Sequence, residues 1–120
     1  MSLAQEKCVP LEKNVSPLPE TEQIRLREQI PDWRIEPYEG IPALQRVFPM
    51  PDYRKALDFV RKVGELAEEE DHHPVMTIEW GAVAVRWSTH SINNLHRNDF
   101  IMAAKTDELY EVRPLPGIHK

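Results

Sequence analysis

A single cysteine among 120 residues allows no internal disulfide and no thiolate-rich metal site. That residue, Cys8, sits in a proline-rich stretch with no cationic cluster to activate it, so it reads as inert. Glycine is scarce as well: the four glycines stand apart from one another, and none builds a phosphate-cradling loop. Long apolar runs are missing, the longest being the five residues 100–104, whereas a bilayer span needs ~20. No membrane segment is expected. The opening residues, Ser2 and Leu3 followed by Gln5, Glu6 and Lys7, carry neither the basic nor the apolar part of a secretory leader, which points to a cytoplasmic protein. An excess of positive charge is absent too. Fifteen Lys and Arg against twenty Asp and Glu give a net charge of −5, the wrong sign for neutralising nucleic-acid phosphates, so direct DNA or RNA binding is disfavoured.

What is present is enough for one domain, with 41% hydrophobic residues in a chain of ordinary domain length. Eight of the eleven prolines lie at or before Pro51, and only Pro74 interrupts residues 52–113, so regular structure should be densest in the second half. Four of the five histidines fall between His72 and His96, in that same half.

Residues 1 to about 18, bounded by Pro19, mix Pro10 and Pro17 with polar residues and show no hydrophobic period. They read as an extended or poorly ordered arm and an uninvolved tail. Residues 19–112 form the expected domain, and 113–120 a C-terminal tail. Good helix formers occupy 20–30, with Thr21 as a cap, Ile24, Leu26 and Ile30 as the apolar set, and Pro31 as the stop. Trp33, Ile35 and Tyr38, then Ala43 to Phe48 beyond Gly40, suggest a hairpin. Asp52 is a good N-cap for an amphipathic helix reaching about Glu70, with Tyr53, Ala56, Leu57, Val60, Val63, Gly64 and Ala67 on one stripe. Met76, Ile78 and Trp80, and after Gly81 Val83, Val85 and Trp87, alternate with polar or small residues as a second hairpin. A last helix covers 98–110. The order α-β-β-α-β-β-α predicts an α+β fold, a four-stranded antiparallel sheet with helices packed on one face.

Chemistry concentrates where the long helix ends. Glu65, Glu68, Glu69, Glu70 and Asp71 oppose the helix dipole there, which local stability does not explain. His72 and His73 follow at once, and carboxylates beside an imidazole favour its charged form, keeping a proton available near neutral pH. Pro74 disfavours helix at His73, so the pair should lie at a helix-to-strand junction, with Pro74 ending the helix. Closure of the second hairpin at Trp80-Gly81 brings His73 and the segment from Ser88 to His90 to one side of the sheet. Asp99 could then orient one of the rings. The histidine spacings do not match the usual zinc patterns, and adjacent extended residues point apart, so no metal is expected. Ser88, His90 and Asp99 match a hydrolase triad in type only, without a nucleophile elbow.

Glu68, three residues, His72-His73-Pro74, five residues, Trp80, nine residues, His90, eight residues, Asp99: this pattern resembles the pterin-4a-carbinolamine dehydratases, also called dimerisation cofactors of a homeodomain transcription factor. The resemblance spans about residues 20–110 and includes Trp33, residues 48–59, residues 88–90 and the helix start at Asn98-Asp99-Phe100. It implies helices on one face of a four-stranded antiparallel sheet. It also implies dehydration of 4a-hydroxytetrahydropterin to quinonoid dihydropterin, in recycling the tetrahydrobiopterin used by aromatic amino-acid hydroxylases. By the same resemblance His72, His73 and His90 are the catalytic histidines. Asp71, Ser88, Thr89 and Ser91 line the pterin pocket, and Glu68, Asp99 and Trp33 are supporting residues. No metal or organic cofactor is implied. Members assemble as homodimers and homotetramers, and a hydroxylase or transcription factor is an implied partner. Two positions depart from the pattern: Asn94 stands where many members have glycine, and His96 where many have a capping Ser or Thr. A non-catalytic binding module or assembly cofactor is the alternative, which degraded histidines would favour; all three are present.

Overall fold

In the computed structural model, which describes residues 2–12 and 15–110, the chain runs α1 (Glu20–Arg27), β1 (Arg34–Tyr38), β2 (Ile41–Pro49), α2 (Tyr53–Glu70), β3 (Val75–Glu79), β4 (Ala82–Trp87) and α3 (Arg97–Leu109). The four strands form one antiparallel sheet in the order β1-β2-β4-β3. This is the expected α+β architecture. The first hairpin closes through Glu39 and Gly40, at φ 52° and 83°, successive left-handed residues whose twist suits a two-residue turn between antiparallel strands. The second closes through Trp80 and Gly81, with Glu79 opposite Ala82.

Register decides which side is buried. Leu44 faces Trp87 and Phe48 faces Val83 across β2 and β4, and these residues, with Val85, are fully buried. Helices α2 and α3 pack across this face. The Asp52 carboxylate accepts the Lys55 amide at 2.8 Å and opens α2. Ala56, Phe59, Val63 and Ala67 form its buried stripe, which is turned from the expected one: Tyr53 and Leu57 are 43% and 45% exposed. Phe59 explains the rotation. Its ring lies 4.8 Å from Phe48 and 5.7 Å from Tyr110, and the large aromatic surface takes the inward position. The first helix ends at Arg27, with Pro19 rather than Thr21 at the cap position; Leu26 within it and Ile30 just beyond it reach the core, while Ile24 does not.

Pro74 does not end α2. The helix stops at Asp71, which adopts the left-handed conformation at φ 53°, a region that Asp tolerates better than most residues. The Asp71 and His72 amides both donate to the Ala67 carbonyl.

The N-terminal arm is not an uninvolved tail. Leu3 is 1% exposed, and a short 3-10 turn, Leu3–Gln5, packs on α3. Lys105 Nζ donates to the Ala4 carbonyl at 2.9 Å, the Arg97 guanidinium grips both Glu6 oxygens at 2.9 and 2.7 Å, and the Leu18 amide donates to the Leu95 carbonyl. The reason lies in α3, where Phe100, Ile101, Met102, Ala103 and Ala104 are consecutive and all buried. A helix apolar on every side must be covered on every side. The sheet covers one flank, and the arm the other. The expected tail at 113–120 lies outside the described residues.

Replacing Leu3 with alanine should therefore cost ~2–5 kcal/mol of unfolding free energy in urea, as for a core leucine. A change below about 0.5 kcal/mol, the range of a surface residue, would contradict arm docking.

Candidate active site

The left-handed turn at Asp71 aims the next two residues apart, as adjacent side chains on extended backbone must be. His72 turns inward and is 7% exposed, while His73 faces solvent. The His72 ring lies parallel to the Trp87 indole, 5.9 Å between centroids and 11° between planes. Trp87 is itself fixed. Its Nε1–H donates to Thr106 Oγ1 at 3.1 Å, and that hydroxyl donates to the Met102 carbonyl at 2.6 Å.

Asp99, fully buried in the first turn of α3, receives three contacts. His72 Nε2 lies 2.6 Å from Oδ1, Thr89 Oγ1 donates to Oδ2 at 2.7 Å, and the His96 amide donates to Oδ2 at 2.9 Å. Amide, hydroxyl and ring nitrogen converge as they would on an ionised carboxylate, and the positive end of α3 favours the same charge. Against an ionised Asp99 the bond puts a proton on Nε2, so that in the neutral ring Nδ1 keeps the lone pair. Thr89 is held by paired backbone bonds with Asn94, closing a loop that contains the 3-10 turn His90–Ile92 and Asn93 at φ 50°. His96 takes the capping place at α3: its Nδ1 accepts the Asn98 amide at 3.0 Å, so a ring nitrogen replaces the Ser or Thr oxygen.

The structure thus brings His72, Thr89 and Asp99 together. Val75 pairs with Arg86, so the chain enters β3 and leaves β4 at the same end of the sheet, with Ser88, His90 and Ser91 flanking Thr89 there. Ser88 is half-buried, and His90 and Ser91 are exposed. His73 Nε2 contacts Glu68 Oε2 at 2.5 Å on the surface, the two side chains being 53% and 79% exposed. Asp71 lines a cleft of about 310 Å³ with Glu70, Asn98 and the arm residues Cys8, Val9, Pro10 and Leu11. Burial, reinforced by the charges of Glu70 and Asp99, pushes the Cys8 thiol up to about 12, so it stays protonated at neutral pH.

Trp33 stands elsewhere. It packs edge-on against Phe48, and its Nε1–H donates to Asp107 Oδ1 at 2.8 Å. Asp107 lies eight residues beyond Asp99 on α3, ~12 Å along the axis. Trp33 therefore supports the core, away from His72. Sequence reasoning missed Trp87 as a platform, His96 as a cap, and Asn98 and the arm as cleft walls. The spacing of His96 to Asp99 is that of a capping box, which could have revealed the second. Among the described residues, no group of three or more His, Cys, Asp or Glu side chains is arranged to hold a metal ion, and no helix is long and apolar enough to cross a membrane.

Fold and site together define a class: a small α+β sheet protein with a histidine pair at the end of α2 and a buried His-Asp-Thr network where β4 meets α3. A family model described as pterin 4 alpha carbinolamine dehydratase matches residues 16–109, and the chain belongs to that family. A Microcystis aeruginosa protein provisionally named pterin-4-alpha-carbinolamine dehydratase is 48% identical over 90% of this chain and 93% of its own length. A Chlorobium limicola protein of the same provisional name is 53% identical over 87% of this chain and 92% of its own. The crystal structure of a transcriptional coactivator/pterin dehydratase from Brucella melitensis superposes with a TM-score of 0.72 at 28% identity, covering 80% of this chain and all of that one. A pterin dehydratase-like protein identified as a RuBisCO assembly factor in the alpha-carboxysome shares the fold, with a TM-score of 0.56 at 22% identity over 66% of this chain and 89% of its own.

The histidine cap gives α3 a pH dependence. Burial, partly opposed by the Asp99 charge and reinforced by His72, holds His96 below its ordinary value, so the fold prefers the neutral ring that can accept the Asn98 amide. The contribution of His96 is complete above about pH 6.5 and is lost as pH falls through the depressed folded value. Unfolding free energies should show an acid-side loss that sets in below about pH 6.5 and is smaller in His96→Ser. Parallel profiles for the two proteins would contradict the cap.

Proposed function

We propose that the protein dehydrates 4a-hydroxytetrahydropterin to quinonoid dihydropterin by histidine acid-base catalysis. The observation that carries this reading is His72, held by a fully buried Asp99 in the tautomer whose lone pair is on Nδ1. In the reaction the C4a–O bond breaks, its oxygen takes a proton and leaves as water, N5 gives up a proton, and the N5 lone pair forms the new bond to C4a. One donor and one acceptor suffice. In the neutral ring His72 Nδ1 suits the acceptor, and His90, exposed at the surface, suits the donor. His73, tethered to Glu68, positions the pterin, with Asp71, Ser88 and Ser91 on the pocket wall. Thr89 acts through Asp99, to which its hydroxyl is committed. No metal or organic cofactor enters the scheme. The setting that fits is recycling of tetrahydrobiopterin for aromatic amino-acid hydroxylation in the cytoplasm, by a homodimer or homotetramer, with a hydroxylase or a transcription factor as partner.

A second reading, a non-catalytic assembly factor, is favoured by one observation: the fold is shared with a protein identified in that role. Activity separates the two. Purified protein added to freshly generated 4a-hydroxytetrahydropterin should accelerate its decay well beyond the spontaneous rate, and His72→Ala and His90→Ala should each lower kcat by ~10²–10⁴-fold. Decay at the spontaneous rate would favour the assembly role, and unmutated rates in both variants would remove the histidine mechanism. Asp99→Asn should be slow as well, because its amide can donate to Nε2 and drive the ring proton onto Nδ1.

A further inference from the structure

Glu70 and Asn98 flank the buried pair in sequence, two residues before His72 and one before Asp99, and neither has a role in the proposed chemistry. Both are withdrawn from solvent, the Glu70 side chain at 6% exposure and Asn98 at 2%. A nearly buried carboxylate at the negative end of α2 opposes the helix dipole, so local helix stability does not account for Glu70. Its partner does. Oε1 accepts the Cys8 amide at 2.8 Å, and the next arm residue is clamped by Asn98: Oδ1 accepts the Val9 amide at 3.0 Å, and Nδ2 donates to the Val9 carbonyl at 2.8 Å. Two consecutive arm residues are thus bonded to the last turn of α2 and the first turn of α3. One residue before Asn98, Arg97 forks Glu6, two residues before Cys8.

We propose that the N-terminal arm is a positioning strap for the His72–Asp99 pair, with Glu70 and Asn98 as its anchors. The His72–Asp99 contact spans two helix ends that belong to different elements. A 2.6 Å bond between them survives only if those ends keep their separation. The arm backbone spans the same gap with rigid peptide groups bonded to Glu70 and Asn98, so it fixes that separation. Its residues 8–11 also wall the cleft that Asp71 lines. Glu70 and Asn98 are therefore positioning residues that act through the pair.

The kinetic part of the test rests on the dehydratase reading, and a spectroscopic part does not. In the full chain, Asn98→Ala and Glu70→Ala should lower kcat by about 10²-fold, the effect of misplacing a catalytic group by about an ångström, with KM within about twofold. Glu70→Gln, which keeps an oxygen for the Cys8 amide, should restore kcat. Val9→Pro removes the amide that Asn98 accepts while leaving α2, α3 and their side chains intact; Val9 is 54% exposed, so this variant keeps the test open if Asn98→Ala does not fold. Arg61→Ala, on the exposed side of α2, should change nothing. In proton NMR the His72 Nε2–H should appear as a slowly exchanging downfield resonance in the unmutated protein and in Glu70→Gln. It should be lost by exchange in Asn98→Ala and Val9→Pro. A fall in melting temperature with kcat and the resonance unchanged would reduce the arm to a structural brace and overturn the proposal. An inactive unmutated protein that shows the resonance pattern would sink the dehydratase reading and leave the strap standing.

Discussion

A carboxylate removed from water is costly unless donors replace its hydration, and Asp99 is such a carboxylate. Its donors come from three places: His72 after α2, Thr89 after β4, and the His96 amide ahead of α3. Each demands a defined chain geometry. His72 reaches Asp99 because Asp71 turns through the left-handed region, Thr89 because its loop is closed by paired bonds to Asn94, and the amide because His96 caps the helix. Satisfying one buried charge therefore fixes where two helices and a strand end. The helix N-terminus contributes to the same end, since Asp99 stands where the α3 dipole favours negative charge.

Around this point the apolar core acts as a mould. Trp87 closes β4 with its indole held by Thr106 on α3, and it offers a flat surface on which the His72 ring rests. Ring orientation is thus set by stacking and ring tautomer by hydrogen bonding, two constraints that together leave Nδ1 with the lone pair. The apolar run of α3 has a further consequence. Because that helix is hydrophobic all round, the chain must cover its outer flank, and the arm that does so meets both helix ends beside the site.

Much of this was legible in the sequence because the signals are local or periodic. Alternation of Val83, Val85 and Trp87 gives a strand with one inward face, Asp52 gives a cap, and the spacing from Glu68 to Asp99 carries the family pattern. Hairpin closure at Trp80-Gly81 puts His73 and residues 88–90 on one side of the sheet, and Asp99, at the start of the last helix, is a carboxylate that could orient one of the rings. The misses are non-local or depend on competition. Nothing in residues 1–18 says that Leu3 is buried; the need arises in the five apolar residues of α3, about a hundred positions away. The stripe of α2 turned because Phe59 found Phe48 and Tyr110, which a period cannot anticipate. Pro74 drew attention as a helix stop, yet Asp71, free to adopt a left-handed conformation, ended the helix three residues earlier. Trp33, expected among the supporting residues of the site, serves the core at the other end of α3.

The site depends on Asp99 holding the neutral His72 ring in one tautomer, with its proton on Nε2. Long-range proton–nitrogen NMR on the neutral ring tests this directly. A protonated, pyrrole-type Nε2 with an unprotonated Nδ1 is the predicted result, whereas an Nδ1–H ring, or equal populations of the two tautomers, would contradict it.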